Sequence, residues 1–435
     1  MKEIDTLILA GHVIPVAPRG VLTDHAIAID QGRIVEVLPS SLALTLYQAK
    51  EVVRLERHAI IPGLVNLHCH AAMSLMRGMS DDLPLQTWLQ EHIWPAEARH
   101  VSDEFVHDGS LLAMAEMLRA GATTVNDMYF FPEATARAAL RAGMRTSLGM
   151  IVIEFPSAYA SDASDYLQKG LATRDAYQGE PLLSFTFSPH APYTVSDESL
   201  KHIAVLAEEL DVPIHTHVHE TEGEISEGLK QHGVRPLERL RKLGIVGPRL
   251  IAVHAVHLMD SELDLLAREG VSIAHCPSSN LKLASGIANI AAARERGVRV
   301  GIGTDGAASN NRLDPWTEMR TAALLAKARS GNAAAVGAAE ALEMATLEGA
   351  RALGLDSEIG SIEAGKAADL TAVELSSFET LPMYDPVSHL VYAAGRENVT
   401  HVWVAGEARL INRRLMGIDA QELHDKALWW QGRLA

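Results

Sequence analysis

The chain has 435 residues, of which 48% are hydrophobic and 21% charged, with 32 glycines and 18 prolines. At roughly 100–200 residues per domain, this allows one large domain with an appendage, or two to three ordinary ones, and it excludes disorder as a general description. The 38 Lys and Arg against 55 Asp and Glu leave a formal net charge of −17, which argues against nucleic acid or an anionic membrane surface as a main partner.

The first elements expected in the chain are β-strands. Residues 26–29 and 34–37 flank Asp30-Gln31-Gly32-Arg33, a glycine-containing turn, so a hairpin is predicted inside a β-rich segment 1–58. The N-terminus carries Glu3 and Asp5 and has no basic leader, so it reads as a mature cytoplasmic start. From about residue 59 the pattern becomes helix, glycine, short apolar strand. Residues 102–121 carry a helix period that ends at Gly121 before ATTVND, and 196–210 start at Ser196, an N-cap type, before VPIHTHV. Residues 260–270 end at Gly270 before VSIAH, and 288–297 end at Gly297 before VRVGIG. Helices alternating with strands predict parallel βαβ units, which leaves a (β/α)8 barrel or a doubly wound sheet. No GxGxxG follows the early strands, which weakens a dinucleotide-binding version of the latter. Beyond about residue 358 the β pattern returns. Residues 1–58 and 358–435 are therefore expected to build one small sheet domain jointly, around a catalytic α/β unit at 59–357.

Two cysteines, Cys69 and Cys276, are too few for a disulfide framework, in keeping with a reducing compartment. No run of about 18 apolar residues occurs, so no membrane helix is predicted.

The candidates for chemistry sit after apolar runs. His68 and His70 follow residues 59–65, and on a strand they face the same side, as two ligands of one metal ion would. His215, His217 and His219 follow 212–214, too many imidazoles for a plain core, with Glu220 just beyond them. His190 follows 182–187, His254 follows 250–253, and Asp305 follows 298–303. Taken singly, several have blander readings: Asp305 suits a helix N-cap, Glu220 a solvated loop carboxylate, and His190 or His254 a satisfied core histidine. In a parallel barrel, however, the C-terminal ends of all strands converge on one face, and five such ends coincide here.

The motifs PGLVNLHCH (62–70), HVHE (217–220), His254 and GTDG (303–306) resemble the amidohydrolase superfamily. Nearer still, MSLMRG (73–78), WPAE (94–97), SPHAPY (188–193) and TDGAASNN (304–311) resemble its 5′-methylthioadenosine/S-adenosylhomocysteine deaminases. The resemblance implies a (β/α)8 TIM barrel with a small β-sandwich domain built from both termini. It implies one divalent metal per chain, Zn2+ or Fe2+, held by His68, His70, His217 and Asp305. Glu220 and His254, with Asp305, would handle protons, while Glu97, His190 and Trp88, together with Glu220 and Asp305, would contact an adenine nucleoside. The implied reaction is hydrolytic deamination, with hydroxide attacking adenine C6. A guanine, pterin or s-triazine aminohydrolase or chlorohydrolase on the same scaffold is the alternative. Binuclear members bridge their metals with a lysine on the fourth strand; none lies between Lys169 and Lys201, which points to a single ion. Members often carry arginines between the third and fourth barrel strands that meet the substrate's 5′ side. Residues 153–175 offer no arginine assigned to that role, which leaves the preferred 5′ group open. A homo-oligomer, dimer or tetramer, is expected from family habit.

Overall fold

The computed structural model describes residues 1–434. Eight short strands form one all-parallel sheet in sequential order: Leu64–Cys69, Ala122–Asp127, Arg145–Val152, Leu183–Pro189, Ile214–Val218, Leu250–His254, Ser272–His275 and Arg299–Ile302. Most residues of these strands are buried, because the barrel interior takes one side of each strand and the helices cover the other. The last strand returns to the first. Asp305 N donates to His68 O at 3.0 Å, Thr304 N to Asn66 Oδ1 at 2.9 Å, and Asn66 Nδ2 to Thr304 Oγ1 at 2.8 Å. Gly303 makes this approach possible, since a Cβ there would stand 2.9 Å from both Cys276 Sγ and His68 Cβ. The structure is therefore a (β/α)8 barrel.

The predicted helices are present. Asp103–Arg119 and Asp197–Leu210 are capped by the side chains of Ser102 and Ser196, which accept from Phe105 N and Ser199 N. Asp260–Glu269 ends on Gly270 in the left-handed conformation, and Ile290–Glu295 is shorter than the period suggested.

The termini meet in a second, mixed sheet whose strands run from Arg414–Leu415 through Leu370–Glu374, Tyr47–Pro62 and Lys2–Val13 to Arg33–Pro39. Ile27 and Ile29 share one apolar cluster with Leu370 and Trp403, residues several strands away, so the sheet curls onto itself as a small sandwich. The predicted hairpin is there, with Asp30 paired to Arg33. Segment 1–58 also holds a helix that its β reading did not anticipate, Ser40–Leu46. It follows Pro39, and only Ala43 of it is buried, so it has no apolar periodicity to announce it.

Two junctions tie sandwich to barrel. Arg145, on the third barrel strand, makes a buried two-point ion pair with Asp369 (Nε–Oδ2 3.0 Å, Nη2–Oδ1 3.2 Å), and Asp369 Oδ1 also accepts from Ala405 N at 2.7 Å. The final helix, Ala420–Leu434, lies on the barrel helix Asp103–Arg119. Trp430 Nε1 and Lys426 Nζ both donate to the buried Asp108 carboxylate, at 3.1 and 2.6 Å. Trp430 thereby joins the apolar cluster of Met73, Leu85 and Trp88 that roofs the barrel mouth.

Candidate active site

The C-terminal ends of the barrel strands bring together the residues singled out from the sequence. His68 Nε2 and His70 Nε2 lie 3.2 and 3.3 Å from Asp305 Oδ1, and His217 Nε2 lies 3.3 Å from His68 Nε2. Nitrogen ligands about 2.0–2.1 Å from a common zinc centre stand about 3.3–3.4 Å apart at the corners of a tetrahedron, so these separations fit a metal ion. Tautomers point the same way. His70 Nδ1 is 2.6 Å from Met128 O, and His217 Nδ1 is 2.7 Å from His190 O. A carbonyl oxygen only accepts, so each Nδ1 is the donor and each neutral ring presents a bare Nε2 to the centre. Burial pushes His68 down to about 3 and His217 well below the ordinary histidine range, which keeps both in the uncharged form that a metal needs. For Asp305, burial raises its pKa, but the neighbouring imidazoles of His68, His70 and His254 outweigh it and hold the group well below the usual carboxylate range.

Asp305 divides its two oxygens. Oδ1 faces His68 and His70 and accepts from Gly306 N at 2.8 Å, whereas Oδ2 accepts from Ser279 Oγ at 2.6 Å and Ser309 Oγ at 2.7 Å. His254 Nδ1 donates to Asn280 Oδ1 at 2.8 Å, which turns Nε2 toward Glu220 Oε2, 3.9 Å away. His254 and Asp305 both hold left-handed backbone (φ 67° and 62°). For a residue other than glycine this costs about 1–3 kcal/mol and persists only where the surroundings impose it. Glu220 is buried, and burial raises its pKa. Its backbone is clamped by Glu224, whose two carboxylate oxygens accept from His219 N and Glu220 N, each at 2.8 Å.

Above this centre opens a cavity of about 1070 Å³, counting its mouth. Its apolar walls include Trp88, Trp94, Ile151, Ile153 and Phe155, and its polar groups include Glu97, Tyr129, Ser157, Tyr193, Ser309 and the residues of the centre, with His190 among them. Trp88 and Glu97 belong to a covering segment in which a turn of π-helix, Trp88–Ile93, runs into the helix Trp94–His100. The Tyr129 hydroxyl donates to Glu97 Oε1 at 2.6 Å. Burial lifts the Glu97 carboxyl to about 7 against the lowering effect of that hydrogen bond. Among the described residues, no lysine or arginine lines the cavity. Arg174, the arginine of 153–175, is paired with Asp175 instead.

The sequence reading did not find Tyr129, Glu224, Ser279, Asn280 or Ser309. Ser309 lies inside TDGAASNN, and Ser279 and Asn280 follow the strand end at His275, so position after a strand was a usable signal for these three. Tyr129 also follows a strand end, at Asp127, whereas nothing in sequence spacing marks Glu224.

Barrel and centre together define a class, the parallel-barrel hydrolases that work with a metal ion. The chain belongs to the amidohydrolase family, whose sequence profile matches residues 59–409. It is 46% identical over 431 residues to a 5-methylthioadenosine/S-adenosylhomocysteine deaminase of Saccharophagus degradans, covering 99% of this chain and 97% of that one. A deaminase of the same name from Teredinibacter turnerae is 45% identical over 432 residues, covering 99% and 98%. Among solved structures, an adenosine deaminase of Xanthomonas campestris with bound zinc superposes with a TM-score of 0.98 at 48% identity, covering 100% of this chain and 99% of that one. A zinc-containing atrazine chlorohydrolase of Arthrobacter aurescens gives 0.91 at 25% identity, covering 98% and 99%.

Proposed function

We propose that this protein is a zinc-dependent deaminase of adenine nucleosides, acting on 5′-methylthioadenosine in preference to S-adenosylhomocysteine, with adenosine as a further substrate. In this reading His68, His70, His217 and Asp305 hold one ion, and Trp88, Glu97 and His190 contact the nucleoside. The observation that carries it is the pairing of this histidine-rich centre with a cavity whose covering segment offers one carboxylate, Glu97, to a ribose. The relatives' names support the adenine nucleoside, and the zinc of the Xanthomonas structure supports the ion.

A divalent ion at such a centre lowers the pKa of a coordinated water from 15.7 to about 7 and so supplies hydroxide at neutral pH. The residues of the chain do the rest. His254, with Nε2 free because Asn280 takes its Nδ1 proton, and the Asp305 carboxylate accept the proton that the water gives up. Glu220, whose pKa burial raises, donates a proton, once it carries one, to the ring nitrogen beside C6 as the C6–O bond forms. The tetrahedral adduct then collapses: the proton held by His254 and Asp305 passes to the amine, the C6–N bond breaks and ammonia leaves, and the C6 hydroxyl proton returns to Glu220. Glu97 accepts from the 2′- and 3′-hydroxyls and orients the base over the centre.

The 5′ preference follows from charge. The cavity walls are largely apolar and no lysine or arginine among the described residues lines them, so the carboxylate of a homocysteine arm would lose water without gaining a cationic partner. A methylthio group suits the same walls at no such cost. Self-association as a dimer or tetramer belongs to the same reading, supported by the exposure of Phe378 (94%) and Tyr384 (89%). So does a cytoplasmic location, supported by two free cysteines; no helix is long and apolar enough to cross a membrane among the described residues.

Loss of the adenine absorbance, measured with zinc-loaded protein on the three nucleosides, tests the proposal. Turnover of methylthioadenosine with a kcat/KM at least about tenfold above that for S-adenosylhomocysteine is expected. Turnover of guanine or an s-triazine with none of the nucleosides would overturn it in favour of the alternative.

A further inference from the structure

Three histidines present Nε2 to the metal centre, and in two of them a backbone carbonyl sets the tautomer: Met128 O for His70 and His190 O for His217. His68 is different. Its Nδ1 meets no carbonyl and lies 2.9 Å from Nε2 of another imidazole, His215. The two rings are buried and stand nearly edge to face, with centroids 4.9 Å apart. His215 is on the same strand as His217, two residues earlier, so its side chain enters the same barrel interior one layer below the ligands. That layer is ordinarily filled by branched apolar side chains. A histidine there is costly, and this one carries a further cost, because its own Nδ1 is a buried polar atom with no hydrogen-bond partner.

We propose that His215 is a positioning residue for the metal: it accepts the Nδ1 proton of His68 and so keeps the His68 Nε2 lone pair directed at the ion. For His68 to ligate through Nε2, its proton must sit on Nδ1, and among the described residues the side chain within reach of that proton is His215, acting as acceptor through Nε2. The His215 proton is then on Nδ1, which accounts for the unpartnered atom: the orphan is the consequence of serving His68. An apolar residue at 215 would free the His68 ring to hold its proton on Nε2 and give it to Asp305 Oδ1, 3.2 Å away, which blocks two ligands at once. The other two ligands do not depend on a side chain in this way.

The proposal rests on the metal-dependent reading above, and the test separates the two. Zinc affinity of the metal-free full-length protein, measured by competition with a chromophoric chelator, is compared for wild type, His215→Leu, His215→Phe and His215→Gln. Circular dichroism and the melting temperature of the metal-free forms report folding. Loss of an outer hydrogen-bond partner of a metal ligand weakens binding by about 10- to 100-fold, and this is the loss expected of the leucine and phenylalanine variants. Glutamine places an amide oxygen near the position of Nε2 and should bind zinc within about threefold of wild type. A folded apolar variant that binds as tightly as wild type, or a glutamine variant as weak as leucine, overturns the proposal. If neither apolar variant folds, His215→Asn replaces them: its shorter arm cannot reach His68, so it should bind more weakly than glutamine, and equal affinities overturn the proposal. Wild type that binds no zinc would instead remove the reading of the centre on which the proposal stands.

Discussion

Replacing Glu97 by alanine tests the proposed contact that would distinguish a nucleoside from a free base. The Glu97 side chain faces the cavity, and the Tyr129 hydroxyl occupies one lone pair of Oε1 at 2.6 Å. A carboxylate has about four acceptor sites, so both ribose hydroxyls can still be received. A hydrogen bond to a charged group contributes about 1.5–3 kcal/mol, which at about 1.4 kcal/mol per decade is roughly 10- to 100-fold in kcat/KM if one contact dominates. Alanine also leaves Tyr129 without its acceptor. That disturbance is common to every substrate and cancels when two substrates are compared in the same pair of proteins. The assay is therefore kcat/KM for 5′-methylthioadenosine and for its 2′,3′-dideoxy analogue, with wild type and Glu97→Ala. The wild type should prefer the ribonucleoside by the factor above, and the variant should show almost no preference. Equal losses on both substrates would show that Glu97 holds the covering segment or the centre in place and does not read the sugar.

Other expectations follow from the same geometry. Glu220→Gln should lower kcat by about 10²–10⁴-fold while the protein keeps one zinc per chain by metal analysis. Loss of the ion would make Glu220 a ligand, and two ions per chain, both needed for turnover, would refute the single-ion centre. Because burial holds the Glu97 carboxyl at about 7, its ionised form is present above that pH and lost below it. kcat/KM for the ribonucleoside should accordingly fall on the acid side with a break near 7 that is missing in the dideoxy substrate; the same break in both would assign it to another group. Asp369→Ala strands the buried guanidinium of Arg145 at the junction of sandwich and barrel, and should cost about 3–5 kcal/mol in urea unfolding. A change under about 1 kcal/mol would mean that water reaches Arg145 readily.

Trp94 leans toward Phe155, with ring centroids 5.9 Å apart, so the covering segment and the chain after the third barrel strand meet over the cavity. The C-terminal helix reaches the same apolar cluster as Trp88 through Trp430, whose ring stands edge-on to Phe105 of the barrel helix Asp103–Arg119 at 5.2 Å. A change at the far end of the chain can thus alter the mouth of a site built by its middle.

The sequence by itself determined which histidines and carboxylates would collect at one end of the barrel. Apolar runs followed by His68, His70, His190, His217, His254 and Asp305 were enough, because parallel strands closed in a barrel present all their C-terminal ends on one face, whatever their separation along the chain. The helix cap at Ser196 and the hairpin at Asp30–Arg33 were legible for the opposite reason: each is settled within a few residues. Tertiary structure alone decided which partner each of these groups has. His215 and His68 are 147 positions apart and Tyr129 is 32 from Glu97; each pair meets across separate elements. Ser279, Ser309 and Glu224 likewise become partners of Asp305 and of the Glu220 backbone only once the barrel loops have folded over its rim. A residue's type and strand position are local properties that periodicity encodes, whereas a hydrogen bond a few ångströms long depends on how strands close and how helices seat, and no local pattern carries that information.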